Sequence, residues 1–127
     1  MKTKTPTPLP KLLSKAQIVF NKYIRLRDKD KGCISCGGEV QEAGHYYSQG
    51  HHSAVRYSEI NTNGQCTRCN RWLHGNLINY RKGLVKRHGE EEVNKLDLHV
   101  DLKKGFKWSR IELEEIIKHY NEKIKSL

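Results

Sequence analysis

Two Cys-x-x-Cys pairs, Cys33-Ile34-Ser35-Cys36 and Cys66-Thr67-Arg68-Cys69, contain all four cysteines of the chain. Four thiolates in two equally spaced knuckles can complete one tetrahedral zinc site, which fastens distant segments without a large core. That constraint matters because only 35% of the 127 residues are hydrophobic and 30% are charged. The expected architecture is one thinly cored domain stapled by a metal. Two disulfides are the other chemistry open to four cysteines. The chain opens with no apolar run suited to a signal peptide or membrane span, so a reducing, cytoplasmic setting is expected and the thiols should be ligands of Zn2+.

Charge points to the partner class. Twenty-four Lys and Arg against fourteen Asp and Glu give a formal net charge of +10. An excess of that size on a small domain suits a polyanion, because each cation that meets a phosphate releases condensed counterions. No membrane partner is expected.

The chain divides into a flexible leader over 1–10, a basic helix plus knuckle core over 11–88, and a helical extension of the same domain over 89–127. The leader carries Pro6, Pro8 and Pro10. Two interleaved series at helical spacing follow, Leu12, Ala16, Val19, Tyr23 and Leu13, Ala16, Phe20, Ile24, and predict an amphipathic helix that ends in the charged stretch from Arg27 to Lys31. Short strands at Glu39–Gln41 and Gly44–Tyr47 would form a hairpin, and Asn61–Gln65 reads as a loop. From Arg71 to His88 the pattern is helical, with Gly75 and Gly83 as potential interruptions. Glu90–Leu98 starts acidic, as a helix N-terminus prefers. Ser109-Arg110-Ile111-Glu112 has the form of a capping box, and the helix after it places Leu113, Ile116, Ile117, Tyr120 and Ile124 on one face. His88, His99 and His119 are expected on solvated helix faces.

Candidate chemistry lies between and just after the cysteine pairs, in His45, His51, His52, Asn61, Asn63, Asn70, His74 and Asn76. Phosphodiester hydrolysis needs a general base for water and a divalent cation for the developing charge. Histidine can be the base because it is largely neutral near pH 7, and asparagine can bind metal through its carbonyl or orient a partner. For DNA contact the candidates are Arg56, Arg68, Arg71, Arg81, Lys82, Lys86 and Arg87, the last four close together on the post-knuckle helix. Tyr46, Tyr47, Tyr57 and Trp72 are nearby aromatics suited either to core packing or to stacking on an unpaired base.

The same residues carry a family resemblance. Paired knuckles, a histidine on a hairpin, an asparagine before the second knuckle and Asn70 directly after Cys69 resemble the zinc-bearing HNH endonucleases of the treble-clef, ββα-metal class. More closely, Ala43-Gly44-His45-Tyr46, Arg56, Gly64-Gln65-Cys66-x-x-Cys69-Asn70, Gly75-Asn76 and Tyr80-Arg81-Lys82-Gly83-Leu84 are similar to the lambdoid-phage NinG (Rap) recombination family. The resemblance spans about Cys33 to His88.

It implies an α+β fold and a structure-specific endodeoxyribonuclease. Such an enzyme would hydrolyse phosphodiesters in branched recombination intermediates, Holliday junctions and D-loops, with Mg2+ or Mn2+. On this reading His45 is the general base, Asn61 positions the base or its loop, and Asn70 binds the divalent cation. Where many HNH nucleases carry an acidic ligand, this chain has Gly44; Glu42, His51, His52, Asn63 and His74 are the candidates to complete the shell. Besides DNA, a homodimer and recombination proteins are the partners to look for, and a phage-encoded protein would act at the host nucleoid. The alternative is a zinc-stabilised DNA-binding recombination adaptor without chemistry.

Overall fold

In the computed structural model, which describes residues 5–127, four helices accompany a two-stranded sheet. Helix α1 spans Leu9–Asp28, strand β1 Glu42–His45, strand β2 Thr62–Gln65, helix α2 Leu77–His88, helix α3 Glu90–Leu102 and helix α4 Arg110–Lys125. Single turns at Ser53–Val55 (3-10) and Arg68–Trp72 (π) complete the set. The result is α+β. Of the leader expected over 1–10, residues 1–4 lie outside the described residues, and α1 already begins at Leu9, with Pro10 in its first turn where a missing N–H costs nothing.

The main core is helical. Both apolar series of α1 turn inward: Leu12, Ala16, Phe20, Tyr23 and Ile24 are buried with Tyr57 and with Leu113 and Tyr120 of α4. Phe20 meets Tyr57 and Tyr120 edge-on at centroid distances of 5.9 and 4.9 Å, the arrangement that ring quadrupoles favour. The capping box forms as expected: Ser109 Oγ accepts from the Glu112 amide at 3.2 Å, and Glu112 Oε1 accepts from the Ser109 amide at 3.0 Å. A smaller cluster of Ile34, Tyr80, Leu84 and Val93 lies under α2 and α3.

The sheet departs from the expected hairpin. Strand β1 pairs antiparallel with Thr62–Gln65, the segment read as a loop, in the register Glu42 with Gln65 through His45 with Thr62. Glu39–Gln41 forms no strand. The reason is chemical: β2 has the sequence Thr-Asn-Gly-Gln, lacks apolar alternation, and is nonetheless buried at every position. Hydrogen bonds hold it. The Asp28 carboxylate accepts from the Gly64 amide at 2.8 Å, and Arg27 donates to the Thr62 carbonyl at 3.1 Å while gripping Asp28 at 2.7 and 2.8 Å. The end of α1 is thus bolted to the sheet.

The two glycines of the post-knuckle segment behave differently. Left-handed backbone at His74, Gly75 and Asn76 stops the π turn and starts α2. Gly83 sits inside α2 without interrupting it, because a Cβ there would overlap the Ile34 carbonyl oxygen. Gly83 therefore permits close packing of α2 on the first knuckle.

A candidate metal centre and the residues around it

All four sulfurs meet. Their ligand atoms lie within 4.8 Å of one another, and Cys36 Sγ is 3.7 Å from Cys66 Sγ. A tetrahedron with metal–sulfur bonds of about 2.3 Å has edges of about 3.8 Å, so the cluster suits a zinc-sized ion. Backbone geometry prepares the sulfurs for negative charge: Gly38 N–H donates to Cys36 Sγ and Cys69 N–H to Cys66 Sγ, each at 3.4 Å. Asn76 Nδ2 adds a donor to Cys69 Sγ at 3.4 Å, an outer contact that orients the ligand. Burial pushes the Cys33 thiol up, but amides of Cys66, Cys36 and Ser35 outweigh it and bring it to about 7. Cys69 is pushed up to about 12, by burial first and then by the sulfurs of Cys66, Cys36 and Cys33 against the Asn76 donor. Four thiols this close resist ionising together unless a cation shares their charge.

Through this cluster the sheet acquires its neighbours. The first knuckle is sewn to β2 by the Ile34 amide on the Gly64 carbonyl at 3.0 Å, and the second knuckle runs directly into the π turn. From α2, the Tyr80 hydroxyl, fully buried, donates to the Gly44 carbonyl at 2.6 Å and accepts from Asn63 Nδ2 at 3.3 Å.

His45, Asn61 and Asn70 occupy three neighbouring settings, and among the described residues no hydrogen bond joins any two of them. His45, on the α1 side of β1, is partly buried with Nε2 3.1 Å from the Arg56 carbonyl and 3.2 Å from Gln17 Nε2. The Gln17 amide is oriented by Arg56 Nε, which donates to its Oε1 at 3.0 Å. Its two protons then go to Asn21 Oδ1 at 2.8 Å and the Arg56 carbonyl at 3.2 Å. The consistent tautomer has His45 Nε2–H donating to the Arg56 carbonyl, which leaves the Nδ1 lone pair free. Burial lowers the His45 pKa, partly offset by the Arg56 carbonyl and reinforced by the Arg56 charge, so the ring is neutral near pH 7.

Asn61 is fully buried and spent on backbone. Its Oδ1 accepts from the Tyr47 amide at 2.8 Å, and its Nδ2 donates to the carbonyls of Tyr47 at 3.0 Å and Val55 at 3.3 Å. That clamps the loop leading away from His45. Asn70 lies on the opposite sheet face, where Nδ2 donates to Glu42 Oε1 at 2.9 Å and Arg71 pairs with Glu42 Oε2 at 2.6 Å. The Glu42 carboxyl is lowered: burial pushes it up, but Asn70, Arg71 and Arg25 prevail. Of the other shell candidates, Asn63 is buried between Tyr80 and His88, His51 contacts Ser48 Oγ at 3.1 Å, and His52 stacks edge-on against Tyr47. His74 stands at the positive-φ break.

The proposed DNA cations divide. Arg68, Lys82 and Lys86 are exposed, and Arg71 is exposed while paired with Glu42, whereas Arg56 holds Gln17, Arg81 grips Asp97 at 2.7 Å and Arg87 lies 3.8 Å from the buried Asp28. Trp72 is 76% exposed and Ile78 78% exposed beside them. Tyr57, in contrast, is buried in the main core. His88 corrects an expectation: instead of a solvated face it reaches Asn63 Oδ1 at 3.2 Å. His99 and His119 are exposed.

Two polar residues were missed by sequence reading. Gln17 falls on the Leu13, Phe20, Ile24 stripe, a polar residue at a core position, and that was the available signal. Gln65 stands in the Gly64-Gln65-Cys66 string, but no spacing or pattern there assigned it a role of its own.

Fold and site define a small α+β protein whose two Cys-x-x-Cys segments build a candidate metal centre. The profile described as Bacteriophage Lambda NinG protein matches residues 2–127, and the chain belongs to the NinG family. It is similar to Protein ninG of Escherichia phage lambda, 35% identical over 118 residues that are 91% of this chain and 56% of that protein. Protein ninG of Salmonella phage P22 is 35% identical over 118 residues, and that of Enterobacteria phage H19B 34%, each with 91% of this chain and 57% of the relative covered. The chain therefore spans about half the length of these curated relatives. No solved structure matches. No helix among the described residues is long and apolar enough to cross a membrane.

Proposed function

We propose that the chain is a metal-dependent endodeoxyribonuclease of the HNH, ββα-metal type that cuts branched recombination intermediates such as Holliday junctions and D-loops. The observation that carries this reading is the setting of His45. Its Nε2 is engaged by the Arg56 carbonyl, its charge is disfavoured by burial, and its Nδ1 is left to take a proton. A water at Nδ1 would lose that proton as its oxygen bonds to the scissile phosphorus, while the bond from phosphorus to the bridging ester oxygen breaks and that oxygen leaves, protonated by solvent. Mg2+ or Mn2+, with Asn70 among its ligands, would neutralise charge on the phosphate from the sheet face opposite His45, so the substrate must reach around the edge of β1. Zn2+ on Cys33, Cys36, Cys66 and Cys69 is structural, because four thiolates leave no open position. Asn61 fixes the loop behind the base.

DNA is held by Arg68, Arg71, Lys82 and Lys86, whose exposed side chains suit phosphates without reading bases. Exposed Trp72 would stack on a base at an unpaired branch point. A homodimer is the simplest way to cut a junction symmetrically. One observation favours the adaptor reading: Gly44 brings no carboxylate, and Arg71 already neutralises Glu42.

Cutting of a synthetic four-way junction with Mg2+ or Mn2+ separates the two. His45→Ala should slow cutting by about 10²–10⁴-fold while junction binding stays unchanged. Cutting as fast as the parent removes His45 from the chemistry; no cutting by either protein under broad metal conditions favours the adaptor. Because burial lowers the His45 pKa, the base stays neutral to lower pH, and the acid limb of the cleavage profile should fall below the ordinary histidine value.

A further inference from the structure

Gly44 lacks a side chain for reasons of space, not of backbone conformation. Its φ lies outside the left-handed region, and a Cβ built there would overlap Gln65 Oε1 and come within 3.2 Å of Asn70 Oδ1. The Gln65 carboxamide fills the volume that a residue 44 side chain would take. Its orientation is fixed by Nε2, which donates to the Gly75 carbonyl at 2.7 Å and to Ser35 Oγ at 2.9 Å. Oε1 is left beside Gly44, near the same point as Asn70 Oδ1. It is fully buried and has no hydrogen-bond partner.

A buried carbonyl oxygen without a donor is costly unless something else satisfies it. Asn70 Oδ1 converges on the same spot, since its Nδ2 is committed to Glu42 Oε1 at 2.9 Å. Glu42 lies directly across the strands from Gln65 in the sheet register. Two carboxamide oxygens and one carboxylate make a hard oxygen set suited to Mg2+ or Mn2+ and poorly suited to the softer ions that thiolates prefer.

We infer that Gln65 Oε1, Asn70 Oδ1 and Glu42 form a divalent-cation site in which Gln65 takes the place of a residue 44 carboxylate. The inference rests on the nuclease reading for its purpose but not for its test. Arg71, 69% exposed, pairs with Glu42 without the cation and turns to phosphate when the cation binds.

The experiment is Mn2+ binding to the zinc-loaded full chain, followed by electron paramagnetic resonance. The parent binds Mn2+ at one site, Gln65→Leu weakens it at least tenfold, and Asn70→Asp tightens it by adding charge. Gly44→Asp alone unfolds the sheet or leaves binding weak, whereas Gly44→Asp combined with Gln65→Ala recovers it, because the carboxylate then has room. No Mn2+ binding by the parent, or equal binding by folded Gln65→Leu, overturns the site. If Gln65→Leu loses its zinc, the other variants decide: Asn70→Asp no tighter than the parent, or a folded double variant that fails to recover parent-like affinity, overturns it as well. A parent that binds Mn2+ through Gln65 yet cuts no junction keeps the site and removes the nuclease reading. Junction cutting indifferent to Gln65→Leu does the reverse.

Discussion

Helices α1 and α4 bury Phe20, Ile24, Leu113 and Tyr120 against one another, while the segment from Cys33 to Gly75 buries Asn61, Thr62, Asn63 and Gln65 around three sunken thiols. The first half is held by apolar area, which works whatever the ionic state of its surroundings. Polar contacts hold the second half, and they are worth little net unless the groups are already positioned. A metal site therefore belongs in the half whose apolar clusters, around Ile34 and Val55, are small. His45, Asn61 and Asn70 ride on that half.

Breaking the clasp should have the largest effect. Cys69→Ser removes one thiolate, and structural zinc contributes on the order of 10 kcal/mol in small metal-folded domains. Zinc content should fall below one per chain, and the sheet should lose its fixed tertiary signals while much of the helical circular dichroism remains.

Phe20→Ala attacks the other half. A cavity at a fully buried ring that meets two tyrosines should cost about 3–5 kcal/mol in urea unfolding. Zinc content should stay at one per chain in the folded protein. Loss of zinc in the folded variant would show that the halves are a single cooperative unit.

Asp28 is the joint between them. Asp28→Asn keeps the shape but leaves Arg27, Lys31 and Arg87 without their shared buried anion, at a cost of about 3 kcal/mol. Burial pushes the Asp28 carboxyl up, yet the Arg27 hydrogen bond, the Gly64 amide and the charges of Arg27 and Lys31 bring it below the ordinary value. Its folded pKa being lowered, the stability it adds is present above the unfolded aspartate pKa and drains as pH falls through its own lower value. The acid unfolding curve of Asp28→Asn should therefore be flatter than the parent's in that window.

What the sequence made legible follows the same division. Both apolar stripes of α1, the capping box at Ser109 and the inward face of α4 were readable because burial there is written in hydrophobic spacing. Strand β2 was not, because Thr62, Asn63 and Gln65 are polar residues buried by hydrogen bonding, and nothing local in Thr-Asn-Gly-Gln announces a strand. The cysteine cluster was legible from ligand spacing alone. Neither the Gln17 and Arg56 brace behind His45 nor the Gln65 oxygen beside Gly44 was, since each depends on contacts between residues far apart in the chain.

Amide hydrogen exchange of the zinc-loaded chain, before and after chelation, tests the division most directly. Amides of Cys33 to Gly75, β1 and β2 included, should lose protection when the metal is removed, while Phe20, Ile24 and Leu113 in α1 and α4 keep theirs. Uniform loss across both halves, or unchanged protection of β2, would contradict that division.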